Sequence, residues 1–198
     1  MQETLKAISD QFLNSNPWDI AAFVLSLAYI ILASRKNILC WYFAFASSLI
    51  YVFLCFYAKL YVDSILQIFY VVLAVWGWFS WRKNSTKELE VIHIAFSKHV
   101  LYIFASFVIS FGIGYLFDNF TDQAFPYIDS AIFVFSILAT YLITVKVIEN
   151  WLYFVVIDAV AVPIYWSRGL NLMSVLFIIF TIMAIYGYFS WLKLKRHA

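Results

Sequence analysis

The sequence predicts an all-α integral membrane protein of seven transmembrane helices, arranged three-one-three with two parallel triple-helix repeats. Three observations predict it. Hydrophobic residues make up 65% of the 198-residue chain and charged residues only 12%, about half the charge usual in a soluble domain. The apolar residues come in blocks of roughly 17–22, long enough to cross a hydrocarbon core of about 30 Å as helices. Residues 18–83 also align with 128–193 without a gap on a shift of 110 positions, and about 20 of the 66 pairs are identical, more than shared hydrophobicity gives. Asp19 falls on Asp129, Lys36 on Lys146, Trp41 on Trp151 and Ser64 on Ser174. Trp76-Gly77-Trp78-Phe79-Ser80-Trp81 falls on Tyr186-Gly187-Tyr188-Phe189-Ser190-Trp191.

The first three spans run over about 18–34, 38–57 and 61–81, the fourth over 99–117, and the last three over 128–145, 150–166 and 172–192. Short turns at Ala58-Lys59 and Ser167-Arg168-Gly169 make their flanking helices antiparallel, and the one long polar connection is 82–98. The chain then divides into a periplasmic segment 1–17, a first bundle 18–83, a stretch 84–127 with a cytoplasmic loop, linker helix and outer loop, a second bundle 128–193, and a cytoplasmic tail 194–198. Equivalent repeat helices lie four spans apart and so point the same way, with the fourth span as inverting linker; substrate is expected between the halves, as in transporters built from repeats. Residues 1–17 are polar and Arg35-Lys36 follows the first apolar block, so no cleavable signal peptide is expected.

Seven spans place the termini on opposite sides. One side holds Lys6, Lys59 and Arg168; the other holds Arg35, Lys36, Arg82, Lys83, Lys87, Lys98, Lys146, Lys193, Lys195 and Arg196. The excess sets the N-terminus outside and the C-terminus in the cytoplasm, with Asp118 and Asp122 facing out. A net charge of +2 in such a chain gives no argument for nucleic acid. Cys40 and Cys55 share one apolar block and read as packing residues, with no metal-ligand spacing. His93, His99 and His197 form no ligand cluster, and no phosphate loop, nucleophile elbow or zinc motif occurs. The reading is therefore not an enzyme, with no cofactor and no metal.

Polar groups at membrane depth cost on the order of 2.5–3.5 kcal/mol each, so the few present are informative. Asp158 sits midway along the sixth span with no basic residue within a helical turn. It either bonds a neighbouring helix or lines a cavity as a cation site, and the second reading is favoured. Trp151, Phe154 and Asp158 stand at i, i+3 and i+7 on one face, an arrangement suited to a flat cation through stacking and cation–π attraction. The first repeat has Trp41, Ala44 and Ser48 there, leaving room for one ligand. Gln67 either bonds the ligand or staples helices. Glu149 and Asn150 have a rim role or a helix-start role, and Asp19 and Asp129 read as N-caps. The 76–81 and 186–191 clusters read as interfacial belts, but Gly77 and Gly187 signal close helix approach, so Trp76 and Tyr186 are candidates to point inward. Pro163 is a candidate gating hinge.

The chain resembles the Pnu vitamin transporters over residues 18–193. The resemblance rests on Phe125-Pro126-Tyr127-Ile128-Asp129-Ser130, Val147-Ile148-Glu149-Asn150-Trp151-Leu152, Ser64-Ile65-Leu66-Gln67 and Gly77-Trp78…Trp81. It implies a bacterial inner membrane, a SWEET-like architecture, facilitated diffusion by uniport, trapping of the vitamin by a cytoplasmic kinase, and a homotrimer as one arrangement. It implies Trp151 as a substrate-stacking residue. Nicotinamide riboside carriers of the family bear Trp-x-x-Trp-x-x-x-Asn where this chain has Trp151, Phe154 and Asp158. That departure favours thiamine slightly over nicotinamide riboside; riboflavin, being neutral, gains little from a carboxylate. A membrane receptor or assembly subunit that binds a vitamin without moving it is the more distant alternative.

Overall fold

The computed structural model describes residues 16–57, 61–83, 91–121 and 125–196. Lys6, Lys59, Lys87, Asp122, His197 and the turn at Ala58-Lys59 lie outside the described residues. Seven helices are present among them: α1 Pro17–Ser34, α2 Cys40–Tyr57, α3 Tyr61–Lys83, α4 Phe96–Phe120, α5 Pro126–Thr144, α6 Asn150–Ser167 and α7 Asn171–Arg196. Each is long and apolar enough to cross a membrane. The linker helix α4 is longer at both ends than the 99–117 expected, and α7 runs past 192 into the basic tail.

Local chemistry sets the helix ends. Pro17 and Pro126 open α1 and α5 at positions where no amide donor is needed. Asn16 caps α1, and Asp19 accepts its backbone N–H at 3.2 Å to complete a capping box. Both helices close through a lysine in the left-handed region, Lys36 at φ 56° and Lys146 at φ 61°. There the Asn37 amide bonds the Leu32 carbonyl and the Val147 amide bonds the Leu142 carbonyl, both at 2.9 Å. This is the six-to-one bond of a Schellman turn, made twice, 110 residues apart.

The same duplication governs packing within each half. Ser64 donates to the Val52 carbonyl and Ser174 to the Val162 carbonyl, both at 2.9 Å. Gly77 lies against the Trp41 ring and Gly187 against the Trp151 ring; a methyl on Gly187 would stand 2.7 Å from the indole. Between halves the contacts are reciprocal. The Trp81 indole donates to the Ile143 carbonyl at 3.3 Å, and the Trp191 indole donates to the Ala33 carbonyl at 3.0 Å. Trp81 and Trp191 are repeat mates, as are Ala33 and Ile143. A contact in which each side gives what it receives is what a two-fold axis produces. The mates sit at the same end of the bundle, so the axis runs along the helices and the two trios are parallel.

The core is therefore a tryptophan lattice on the pseudo-axis. Trp41, Trp81, Trp151 and Trp191 are fully buried together with Ala33, Ile143, Ile148 and Ala184. It lies toward the end carrying Arg35, Lys36, Arg82 and Lys146, here termed the basic end; the opposite, acidic end carries Asp19, Asp63, Asp118 and Asp129. Helix α4 packs on α5 through Phe107–Phe135 and Phe111–Tyr127 ring pairs. The 82–98 connection, expected as the one long polar connection, docks its end: Val91 is buried, and Ile92 pairs with the α5–α6 turn through the Lys146 carbonyl and the Ile148 amide, both at 3.0 Å. The linker is thus clamped to the second half.

Candidate functional site

The interior faces of four helices converge on Asp158. Its side chain on α6 is buried, 4% exposed, and no arginine or lysine among the described residues pairs with it. The groups that feel its charge come from the other half: Tyr29 on α1 and Tyr70 on α3. The Tyr70 hydroxyl in turn faces Ser136 and Thr140 of α5, which are buried one helical turn apart. Tyr29 and Tyr70 are each half-buried. A carboxylate, phenols and hydroxyls brought together between the halves can offset a positive charge and replace water around a polyol.

On either side of Asp158 along the helices the halves touch. At the basic end stand the tryptophan lattice and the Ser80 hydroxyl, which bonds the Thr144 carbonyl at 2.9 Å. At the acidic end the Tyr165 hydroxyl of α6 reaches Asp63 of α3 at 3.3 Å. Beside it Arg168 bonds Asp129 at 2.7 Å and lies over the Phe125 ring at 5.4 Å. Asp129 therefore does more than start α5, as the N-cap reading had it.

The structure separates the sequence-predicted residues. Trp151, Phe154 and Asp158 share the interior face of α6, but Trp151 is 0% exposed and packed edge-on against Trp191 at 5.5 Å. Trp41 is its mirror, edge-on to Trp81 at 5.3 Å. Both indole N–H groups are buried without a hydrogen-bond partner among the described residues. Phe154 is half-buried against this lattice and Ser48 is buried on α2. Gln67 is half-buried one turn from Tyr70 on α3. Asn150 is fully buried at the start of α6, donating to the Val147 carbonyl while its Oδ1 has no hydrogen-bond partner among the described residues.

Two expectations are corrected. Trp76 and Tyr186 are 55% and 50% exposed. Trp76 stands edge-on to Tyr141 of α5 at 6.4 Å, at the exposed edge of the seam between the halves, and Tyr186 lies on the exposed stripe of Ile178, Ile182 and Phe189. The close approach signalled by Gly77 and Gly187 is made with Trp41 and Trp151, and the flanking rings are left half-exposed. Pro163 is accommodated within an unbroken α6. Tyr29, Tyr70, Ser136 and Thr140 escaped the sequence reading, because single polar residues in apolar blocks look like ordinary span residues; the i, i+4 spacing of Ser136 and Thr140 was the available signal.

The crystal structure of the vitamin B3 transporter PnuC has the same fold, with a TM-score of 0.76 over 98% of this chain and 90% of that chain, at 22% identity. The nicotinamide riboside transporter PnuC of Escherichia coli (strain K12) is 27% identical over 201 residues, covering 87% of this chain and 84% of that protein. The PnuC of Neisseria mucosa is 24% identical over 202 residues, covering 93% and 76%. The riboflavin/roseoflavin transporter RibM of Streptomyces davaonensis is 24% identical over 178 residues, covering 87% and 83%. The sequence model described as "Nicotinamide mononucleotide transporter" matches residues 16–193, which span both repeats and the linker between them, and the chain belongs to that family.

Proposed function

We propose that this chain is a facilitative carrier that moves nicotinamide riboside across the bacterial inner membrane. The observation that carries the reading is Asp158, enclosed between the two halves with no cationic side chain paired to it. A fixed positive pyridinium ring supplies the missing charge. Tyr70, Ser136 and Thr140 face the same space and suit ribose hydroxyls, and Phe154 offers a ring face to the base. Thiamine, slightly favoured by the sequence, shares the charge but lacks the sugar. The PnuC relatives, at 27% and 24% identity, support the riboside, and RibM, a riboflavin/roseoflavin transporter, is matched at 24%.

Transport follows from the two closures. Parting of Tyr165 from Asp63 opens the acidic end, and parting of the tryptophan contacts opens the basic end, with Asp158 reached from each in turn. The acidic end faces outward in this scheme, and the N-terminus with it. No energy source is needed for such a uniport; phosphorylation by a cytoplasmic kinase removes the product and keeps the flux inward. The test is uptake of labelled nicotinamide riboside into liposomes holding the purified chain, with thiamine and riboflavin as competitors. Equilibration of the riboside, inhibited weakly or not at all by riboflavin, is expected. Binding without accumulation would make the protein a receptor, and accumulation driven by an imposed pH gradient would reject uniport.

A further inference from the structure

The two halves meet along two seams, α3 on α5 and α1 on α7, which the duplication makes equivalent. They are not equally tied. Along α3–α5 the ties run from one end to the other. Phe69 and Phe133 meet edge-on at 5.9 Å, the Tyr70 hydroxyl faces Ser136 and Thr140, and Trp76 meets Tyr141 edge-on at 6.4 Å. Ser80 and Trp81 then donate to the Thr144 and Ile143 carbonyls at 2.9 and 3.3 Å.

Most of these ties have no counterpart on α1–α7. The mates of Phe69 and Phe133 are Ile179 and Phe23, which cannot form a ring pair. Where Tyr70 faces two hydroxyls, the other seam has Phe180, which has no hydroxyl, with Ser26 and Ile30. The Ser26 hydroxyl faces Tyr51 of its own half instead. Trp76 and Tyr141 are matched by Tyr186 and Ile31, again without a ring pair. Among the described residues Ser190, the mate of Ser80, makes no bond to the Ser34 carbonyl, although Ser34 is the mate of Thr144. The tie that these mate positions keep is the Trp191 indole on the Ala33 carbonyl at 3.0 Å, at the basic end.

In lipid this difference decides which seam can part. Apolar helix faces gain little from meeting there, because acyl chains are as apolar as the side chains they replace. A hydroxyl drawn from its partner into hydrocarbon is left unsatisfied. We propose that the two halves pivot on the α3–α5 seam, which stays closed through the transport cycle, and that the passage opens on the α1–α7 side. The inference rests on the reading of the chain as a carrier that moves its ligand between the halves. The acidic end opens as α1 and α7 splay and Tyr165 is drawn off Asp63. The basic end opens as Trp191 leaves Ala33 while Trp81 keeps its bond to Ile143. The duplication alone would let either seam serve as the pivot; the side chains retained on one and lost from the other fix the choice.

Cysteine pairs at mate positions make each seam the control for the other. In the full chain carrying Cys40→Ala and Cys55→Ala, spin labels on Ile65→Cys with Ile128→Cys report on α3–α5. Labels on Val175→Cys with Trp18→Cys, the mates of that pair, report on α1–α7. Pulsed electron-spin distances in lipid nanodiscs need no substrate. They should give one narrow peak for the first pair and a broader distribution with a longer component for the second. Equal widths, or the broader distribution at α3–α5, overturn the proposal. A disulfide between Phe69→Cys and Phe133→Cys should leave riboside uptake into liposomes unchanged. One between Ile179→Cys and Phe23→Cys should abolish uptake until it is reduced. Uptake lost reversibly on locking α3–α5, or kept on locking α1–α7, overturns the proposal as well. Absence of uptake before any locking would reject the carrier reading alone, and the distances still decide which seam is the pivot.

Discussion

Trp81 and Trp191 meet on the pseudo-axis with ring centroids 6.1 Å apart, and each sends its indole N–H into a helix end of the opposite half. The accepting carbonyls, Ile143 and Ala33, belong to the last turns of α5 and α1, where the chain turns through Lys146 and Lys36. Each lysine's left-handed turn thus holds in place the carbonyl that a tryptophan from the other repeat reads. Replacing Trp191 by Phe keeps a ring but loses the bond and some volume. It should destabilise the protein by about 1–3 kcal/mol, read as a lower unfolding temperature in detergent, and Trp81→Phe should act in the same direction.

The glycines at the two tryptophan contacts give a sharper contrast. A Cβ on Gly187 would stand 2.7 Å from the Trp151 ring, whereas one on Gly112 in α4 meets nothing within 4 Å. Gly187→Ala should therefore cost about 1–3 kcal/mol through overpacking. Gly112→Ala should be neutral or stabilise by up to about 1 kcal/mol, since alanine loses less backbone freedom in a helix. Unfolding temperatures of the two variants check both signs at once.

Much of this fold was legible because its causes are written locally. Apolar block length gives the seven spans, and the ungapped 110-residue shift gives two parallel trios; Gly77 and Gly187 announced close approach. What approached them was not legible. Trp151 reads equally well as a ligand-stacking ring or as a core ring, and only the position of Gly187 and Trp191 across helices places it in the lattice. Trp76 and Tyr186 failed for the same reason: a glycine fixes which face is inside, but the neighbouring ring lies about 100° away on the helix. Asp158 was visible because a carboxylate at depth is costly. Tyr29 and Tyr70 were not, because a phenol in a span carries no such cost and their convergence depends on three helices from two halves.

Asp158 gives the central test. Asn keeps the shape and removes the charge. Asp158→Asn should weaken binding of nicotinamide riboside by about 1–3 kcal/mol and leave any residual binding of neutral riboflavin unchanged. Titration calorimetry with both ligands reads the difference. Unchanged riboside affinity would take the carboxylate out of the site.

Tyr70 tests the polyol side of the same space. Its hydroxyl faces Ser136 and Thr140, and Tyr70→Phe removes one hydroxyl without changing the ring. A loss of about 0.5–1.5 kcal/mol in riboside affinity is expected, with nicotinamide itself, which lacks the sugar, bound no worse. Equal losses for both would assign Tyr70 to packing.

Lys146 supplies a pH dependence that lies outside the site. It is buried in the α5–α6 turn, and burial together with the nearby charge of its repeat mate Lys36 lowers its pKa below the ordinary 10.5. The folded protein therefore releases this proton before the unfolded chain does. Between the lowered value and 10.5 the unfolded state binds more protons, so stability must rise with pH across that window. Below the lowered value both states are protonated and the penalty is constant. Unfolding temperature measured from neutral pH up to 10.5 should climb relative to that of Lys146→Met, in which the titration is absent. Parallel curves for the two proteins would mean that the ammonium reaches water and that the Lys36–Lys146 proximity carries no energetic weight.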